Sequence, residues 1–228
     1  LLIAYVFNFV FNKEKRIQKT DIYILAILSI IISLCKIVYL PLVGLLLLLP
    51  KDKFIILGVG QVQTRKGVKD FIEVAKQNPD LYFVWCGGFS FGKITDGYQE
   101  LKEIWDNPPQ NVRFLGIIPR AEMNDIYNIA DVLFMPSYNE LFPMSILEAV
   151  NLQKPILLRN LELYEDILFH KYLYGENNED FSEQLKKLSK DKDLYEKASK
   201  FSKEISDYYS KEHVADLWRN FYVKVSKK

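Results

Sequence analysis

The sequence of 228 residues is poor in the side chains that build disulfide frameworks and zinc sites, with two cysteines and two histidines. Cys35 lies inside an apolar run and Cys86 ends a predicted strand, so neither belongs to a CxxC motif or a Cys/His cluster. This spacing argues against both disulfides and structural zinc as organising features. His170 and His213 have no metal-ligating neighbours in the sequence and are interpreted as surface or packing residues.

Several functional classes also lack their signatures. The formal net charge is +1, and the aromatic residues fall on apolar faces rather than within a basic patch, which argues against nucleic-acid binding. There is no Walker phosphate loop and no Ser/His/Asp arrangement. Asp191-Lys-Asp193 matches the DxD pattern of metal-dependent glycosyl transfer, but it lies in a charged helical region and not after a strand. We therefore interpret it as a solvated helix surface and predict no metal site.

Acidic residues are scarce in residues 1–50, and residues 22–49 contain one charged side chain, Lys36. As a helix, residues 22–49 would rise about 42 Å at about 1.5 Å per residue. The hydrocarbon core of a bilayer is about 30 Å thick. Residues 1–50 are therefore predicted to be a hydrophobic, membrane-associated helical segment, either one tilted span or two half-spans broken near Lys36 and Pro41. Because the chain opens on Leu1 within an apolar run, we expect it to be a fragment of a longer protein.

Residues 51–228 read as one α/β domain, because short apolar runs alternate with segments of helical periodicity. The pattern predicts a doubly wound parallel sheet. The predicted strands are 54–59, 81–86, 112–117, 132–135 and 155–158, and the predicted helices are 67–77, 98–105, 122–130, 144–151, 180–190, 194–209 and 213–225. Ligands of such sheets bind outside the carboxyl ends of the strands, so the loops after the strands hold the candidate site residues.

The loop after the first predicted strand carries two adjacent cations, Arg65 and Lys66, directly before a helix start. A helix N-terminus offers free N–H groups and a favourable dipole, and the two cations add full charges, so the loop is suited to a diphosphate. The alternative is a solvated basic pair on a surface loop. Gly58-Val-Gly60 hints at a dinucleotide fingerprint, but Gln63 occupies its third glycine position and the expected acidic residue is missing.

The loop after the fourth predicted strand leads from Glu140 to Glu148 inside the following helix. A carboxylate in the apolar surroundings of Glu148 needs partners. Vicinal hydroxyls of a sugar or ribose are good ones, because both carboxylate oxygens accept hydrogen bonds. The alternative is that Glu148 pairs with a nearby lysine or arginine.

Three motifs in this order resemble those of glycosyltransferase family 4. They are Arg65-Lys66-Gly67, Asn111-Val-Arg-Phe-Leu-Gly116, and Glu140-x7-Glu148 after Pro136-Ser137. The match runs from about residue 54 to 190. Asp70-Phe-Ile-Glu-Val-Ala, Phe83-Val-Trp-Cys-Gly87 and Pro155-Ile-Leu-Leu-Arg159-Asn look most like the bacterial diacylglycerol glucosyl- and galactosyltransferases. The resemblance implies the Rossmann-like, C-terminal, donor-binding half of a GT-B fold.

The resemblance also implies roles for the matching positions. Arg65 and Lys66 would hold the diphosphate of UDP-glucose or UDP-galactose, Glu148 the ribose, and Glu140 the transferred sugar. The implied catalytic residues are Glu140, Arg65 and Lys66. Further donor-binding positions are Gly60, Gly116, Ile117, Phe142, Met144 and Ser145, with the backbone after Gly116 framing the uracil.

The sequence departs from the family pattern at two places. Leu141-Phe142-Pro143 replaces Gly-Phe-Gly, and Pro143 has no N–H to donate. Gln61 stands where many members have arginine, which moves the cationic role onto Arg65.

The resemblance implies a retaining hexosyltransferase that needs no cofactor and no metal, with a nucleotide sugar as donor and a membrane lipid as acceptor. The acceptor-binding half is expected to be missing from this chain, so the chain alone is expected to bind donor and to show little or no transfer. A non-catalytic, membrane-tethered nucleotide-sugar-binding module and a capsule or exopolysaccharide glycosyltransferase are the alternatives. The predicted location is the membrane, with the soluble domain at the cytoplasmic face. Basic residues at 12–21 argue for a cytoplasmic position of this linker. A single crossing after the linker would then place the soluble domain outside, whereas a re-entrant hairpin or an accidental joining of two reading frames would remove this conflict.

Overall fold

The computed structural model describes residues 53–226, which form a six-stranded, fully parallel sheet with helices on both faces. The strands are β1 (Ile55–Val59), β2 (Tyr82–Cys86), β3 (Val112–Gly116), β4 (Val132–Met135), β5 (Ile156–Arg159) and β6 (Leu173–Gly175). Their spatial order is β3-β2-β1-β4-β5-β6. The prediction of a doubly wound parallel α/β sheet is confirmed.

Eight α-helices connect and cover the strands within residues 53–226. They are α1 (Val68–Gln77), α2 (Tyr98–Asp106), α3 (Met123–Ile129), α4 (Met144–Asn151), α5 (Glu162–Leu168), α6 (Asn178–Lys190), α7 (Lys192–Tyr208) and α8 (Lys211–Ser226). Each predicted helix and strand has a counterpart among these elements. Two elements have no prediction, α5 and β6.

The predicted membrane segment, residues 1–50, lies outside the described residues, and its membrane association stays a prediction. Within residues 53–226, none of the helices combines the length and the apolar character that a bilayer crossing requires.

The core lies where α1 packs on the centre of the sheet. The central strands β1 and β4 are buried on both faces, so their side chains contribute to it. Phe71 of α1 is the centre of an aromatic group. Its ring centroid lies 5.3 Å from that of Phe83, 5.0 Å from that of Trp85 and 5.6 Å from that of Phe134. These residues belong to β2 and β4, so α1 is fixed over the middle strands and its N-terminus lies at their carboxyl ends.

The strand order reverses between β1 and β4. The chain leaves β1 towards β2 on one side and leaves β4 towards β5 on the other, so the loops after β1 and β4 diverge. Such a switch point opens a crevice at the carboxyl edge of the sheet. Both loops that carry the predicted charged residues therefore border the same crevice.

Candidate functional site

The loops after β1 and β4 are joined to each other by backbone contacts. The Tyr138 N–H donates to the carbonyl oxygen of Arg65 at 2.8 Å, and Arg65 Nη1 donates to the carbonyl oxygen of Asn139 at 3.1 Å. Gly67 has φ +69°, and a Cβ there would overlap the carbonyl oxygen of Pro136. A glycine is required at this position for both reasons. The two loops therefore form one rigid wall of the crevice.

Lys66 and Glu140 meet across these loops, with Nζ 2.5 Å from Oε1. Their side chains are 13% and 5% exposed. The Lys66 stem passes over Gly60, where an added Cβ would lie 3.5 Å from Lys66 Cδ. An ammonium has three donors, so Lys66 can hold Glu140 and an anion at the same time. The structure thus brings together three of the predicted site residues, Gly60, Lys66 and Glu140.

Glu148 lies on α4 and has two partners. The Tyr127 hydroxyl donates to Oε2 at 2.8 Å, and Arg120 Nη2 lies 3.3 Å from Oε1. The sequence alternative, a nearby arginine, is therefore what the structure shows. Burial, followed by the hydrogen bond to Glu148, raises the pKa of Tyr127 far above its usual range, so Tyr127 stays a donor. Because the Arg120 side chain is 85% exposed, its ion pair is weak and easily exchanged for a ligand hydroxyl.

Two other predicted donor-binding residues, Gly116 and Ile117, lie at the carboxyl end of β3. Gly116 has φ +76°, and its carbonyl oxygen accepts from the Gly87 N–H at 2.8 Å. Ile117 follows it with 72% of its surface exposed, although its side chain lies over Gly88. An exposed isoleucine at this edge offers an apolar surface of the kind that a flat base packs against.

The segment between Glu140 and α4 departs most from the family pattern. Phe142 packs against Tyr209, the residue that follows α7, with ring centroids 5.5 Å apart. Met144 begins α4 and is exposed, and Ser145 Oγ lies 3.1 Å from Met135 Sδ. Pro143 precedes α4 and provides no side-chain cap.

The sequence alone did not identify Asp70, Tyr138 and Arg159 as an interacting group. Asp70 and Arg159 lie beside the two joined loops, one of which contains Tyr138. Arg159 Nη2 lies 2.6 Å from Asp70 Oδ2, and the guanidinium lies over the ring of Tyr138 at 4.1 Å. Asp70 and Arg159 stand in two of the family-like motifs, which was the available signal. They are 89 residues apart, and nothing in either motif indicates that they pair.

Asp191-Lys-Asp193 lies at the junction of α6 and α7, distant from the carboxyl edge. Asp191 Oδ1 accepts from the Leu194 N–H at 3.0 Å, so Asp191 is the N-cap of α7. The charged cavity of about 620 Å³ at this junction opens widely to solvent. In the part of the chain that the structure describes, no cluster of three or more metal-ligating side chains occurs.

The family model described as Glycosyl transferases group 1 matches residues 47–205. An alpha-galactosylglucosyldiacylglycerol synthase of Streptococcus pneumoniae is 46% identical over 180 residues, covering 77% of this chain and 47% of that protein. A processive diacylglycerol alpha-glucosyltransferase of Acholeplasma laidlawii is 37% identical over 141 residues, covering 61% of this chain and 41% of that protein. The chain spans about half the length of these curated relatives.

Solved structures show the same fold. Anabaena HepE in complex with UDP and glucose matches with a TM-score of 0.62 at 17% sequence identity, over 78% of this chain and 49% of that chain.

Proposed function

The chain belongs to the group 1 glycosyl transferases, and from this premise we propose that residues 53–226 bind the UDP-hexose donor of an enzyme that glycosylates a membrane lipid. Both curated relatives described above are named for diacylglycerol glycolipids, which supports a lipid acceptor. The proposed donors are UDP-glucose and UDP-galactose.

The Lys66–Glu140 pair at the switch point carries this proposal. A diphosphate needs positive charge and fixed donors, which Lys66 and Arg65 supply together with the N-terminus of α1. A hexose needs acceptors for its hydroxyls, which Glu140 supplies next to the phosphate-binding cation. The ion pair therefore places Lys66 at the phosphate side and Glu140 at the sugar side of the sugar–phosphate bond that is broken.

The nucleoside end would be held at the opposite side of the crevice. Glu148, oriented by Tyr127, is suited to accept hydrogen bonds from two ribose hydroxyls. The exposed side chain of Ile117 and the backbone after Gly116 are suited to frame the base. Phe142, Met144 and Ser145 complete the proposed donor site.

We propose transfer with retention and without a metal, since Arg65 and Lys66 neutralise the charge of the departing diphosphate. Glu140 would stabilise positive character at the anomeric carbon, and an oxygen of the leaving phosphate would accept the proton of the acceptor hydroxyl. Two substrates must be held in register across a cleft. This chain spans about half of its relatives, and we expect it to bind donor with little transfer. Membrane attachment, with the domain at the cytoplasmic face, is part of the proposal.

Calorimetric titration of the full chain with UDP tests the donor site. Wild type is expected to bind, and Lys66→Ala to weaken binding about tenfold or more, because a charged hydrogen bond to phosphate is lost. Lys76→Ala is the matched control, since Lys76 lies at the far end of α1 and pairs with Glu73. No detectable wild-type affinity, or equal affinities for all three proteins, would refute the proposed function. Repeating the titration with EDTA tests the absence of a metal requirement, and we expect the same affinity.

A further inference from the structure

Arg159, the last residue of β5, uses all three nitrogens of its guanidinium on different segments. Nε donates to the carbonyl oxygen of Pro136 at 3.0 Å, and Nη1 donates to that of Glu176 at 2.9 Å. Nη2 pairs with Asp70 on α1 at 2.6 Å. The planar fork of arginine can span three such acceptors, whereas the point charge of lysine cannot.

Tyr138 is held by the same group of contacts. The Arg159 guanidinium lies 4.1 Å from its ring centroid, which is within the range of a cation–π interaction. Its interaction with the Asp70 carboxylate raises the pKa of the Tyr138 hydroxyl, so this hydroxyl stays protonated. Its backbone N–H donates to Arg65. Tyr138 is therefore held at its ring and its backbone.

This degree of restraint is not explained by core packing. Tyr138 is 53% exposed, and the side chains of Arg159 and Asp70 lie at the edge of the core, with 13% and 16% exposure. Residue 138 stands two positions before Glu140 in a loop without regular secondary structure. The contacts of Pro136 and Tyr138 restrain the backbone that leads to Glu140, and Lys66 holds its carboxylate.

We propose that Arg159 is a positioning residue, which holds the loop from Pro136 to Glu140 so that Glu140 is presented to the hexose of the donor. The inference deepens the proposed function and rests on it. Arg159 itself does not contact the donor. Its effect is directed at the sugar end of the ligand, because Glu140 is the sugar-binding group, while the nucleoside is held by Glu148 on α4.

The test compares the affinities of the full chain for UDP and for UDP-glucose. Arg159→Lys is expected to weaken UDP-glucose binding about tenfold, because loosening of the loop misplaces Glu140. It should weaken UDP binding by no more than about threefold, because the nucleoside contacts are unchanged and only the hydrogen bonds of Arg65 to the same loop are loosened. Asp70→Asn removes the ion pair with little change of shape and should produce the same selective loss, which covers the case in which Arg159→Lys folds poorly.

Arg219→Lys is the matched control, because Arg219 is exposed on α8 and pairs locally with Asp216. Thermal unfolding of each variant separates general destabilisation from a selective effect on the sugar. Equal losses for both ligands, or no loss for either in a folded variant, would overturn the positioning role alone. If the wild type binds neither ligand, the proposed function fails, and this inference fails with it.

Discussion

Lys66 Nζ lies 2.5 Å from Glu140 Oε1, although the two residues are 74 positions apart and follow different strands. The pair joins the loops after β1 and β4, so the cation and the carboxylate are held in a defined position relative to each other. A donor that enters this crevice finds an oriented cation and an oriented carboxylate and does not have to assemble them.

Removing one member of this pair should destabilise the fold. Lys66→Met leaves the Glu140 carboxylate buried without its counter-charge, and we expect a loss of about 1–3 kcal/mol in the free energy of unfolding. Urea denaturation measures the loss. Adding Glu140→Gln removes the unpaired charge, so the double variant should recover part of the stability. Lys76→Met, at an exposed pair, should change stability by less than about 0.5 kcal/mol. An unchanged midpoint in Lys66→Met would show that the pair contributes nothing to the fold.

Glu148 should recognise ribose hydroxyls. Wild type is expected to bind 2′-deoxy-UDP about tenfold more weakly than UDP, because one hydrogen bond to a charged group is lost. In Glu148→Ala the two ligands should bind with the same, weaker affinity. Calorimetric titration of both ligands measures the ratio. Glu183→Ala, at a surface pair of α6, should keep the wild-type preference for UDP. Persistence of that preference in Glu148→Ala would move ribose recognition to another residue.

Gly67 should tolerate no side chain. Gly67→Ala forces a Cβ into the carbonyl of Pro136 at a left-handed backbone position, and we expect destabilisation of about 1–3 kcal/mol. Gly92 has φ +55°, and an added Cβ there meets nothing within 4 Å, so Gly92→Ala isolates the backbone contribution. That variant should lose only about 1 kcal/mol. Similar losses in the two variants, measured by urea denaturation, would mean that the contact with Pro136 is unimportant.

Alkaline pH should unfold the protein through groups that are buried in their neutral form. Burial raises the pKa of Cys86 to about 11, and burial together with Asp131 raises that of Tyr195 to about 12. In the unfolded chain the pKa is 9.0 for the cysteine and 10.0 for the tyrosine. At a pH between the unfolded and the folded pKa of either group, that group has lost its proton in the unfolded chain and keeps it in the folded one. The stabilisation is therefore complete below about pH 9 and is lost as pH rises through the folded values.

Urea denaturation between about pH 8 and pH 11 measures this loss. Cys86→Ala and Tyr195→Phe should each make the decline of stability with pH less steep, and the double variant should make it the least steep. Curves of all variants that run parallel to the wild-type curve would assign the alkaline transition to other groups.

The sequence predicted β1 to β5 and most of the helices, because their apolar residues recur at clear strand or helix periods and are separated by polar turns. It did not predict α5 and β6. β6 has three residues and only one of them, Gly175, is buried, so no strand period can develop. α5 has seven residues and is followed by Phe169, which adopts the left-handed conformation without being a glycine. Both elements depend on packing against their neighbours rather than on local preference.

The candidate site was predictable as a set of residue types but not as a set of contacts. The charges of Arg65, Lys66 and Glu140 and their place after strands indicated a shared crevice. That Lys66 pairs with Glu140, and that Glu148 is held by Tyr127, depends on how neighbouring loops meet in space. The same holds for Arg159, whose partners come from α1, from the loop after β4 and from the end of β6.

The reversal of strand order between β1 and β4 has a consequence during synthesis. During synthesis β1 is made before the other five strands, but two further βα units must leave the ribosome before β4 can dock beside it. The proposed donor site is therefore completed only after Glu148 has emerged and β1 and β4 are adjacent. Because a ligand stabilises only the state that binds it, a nucleotide bound as proposed would stabilise chains with a complete sheet and not chains that lack β4.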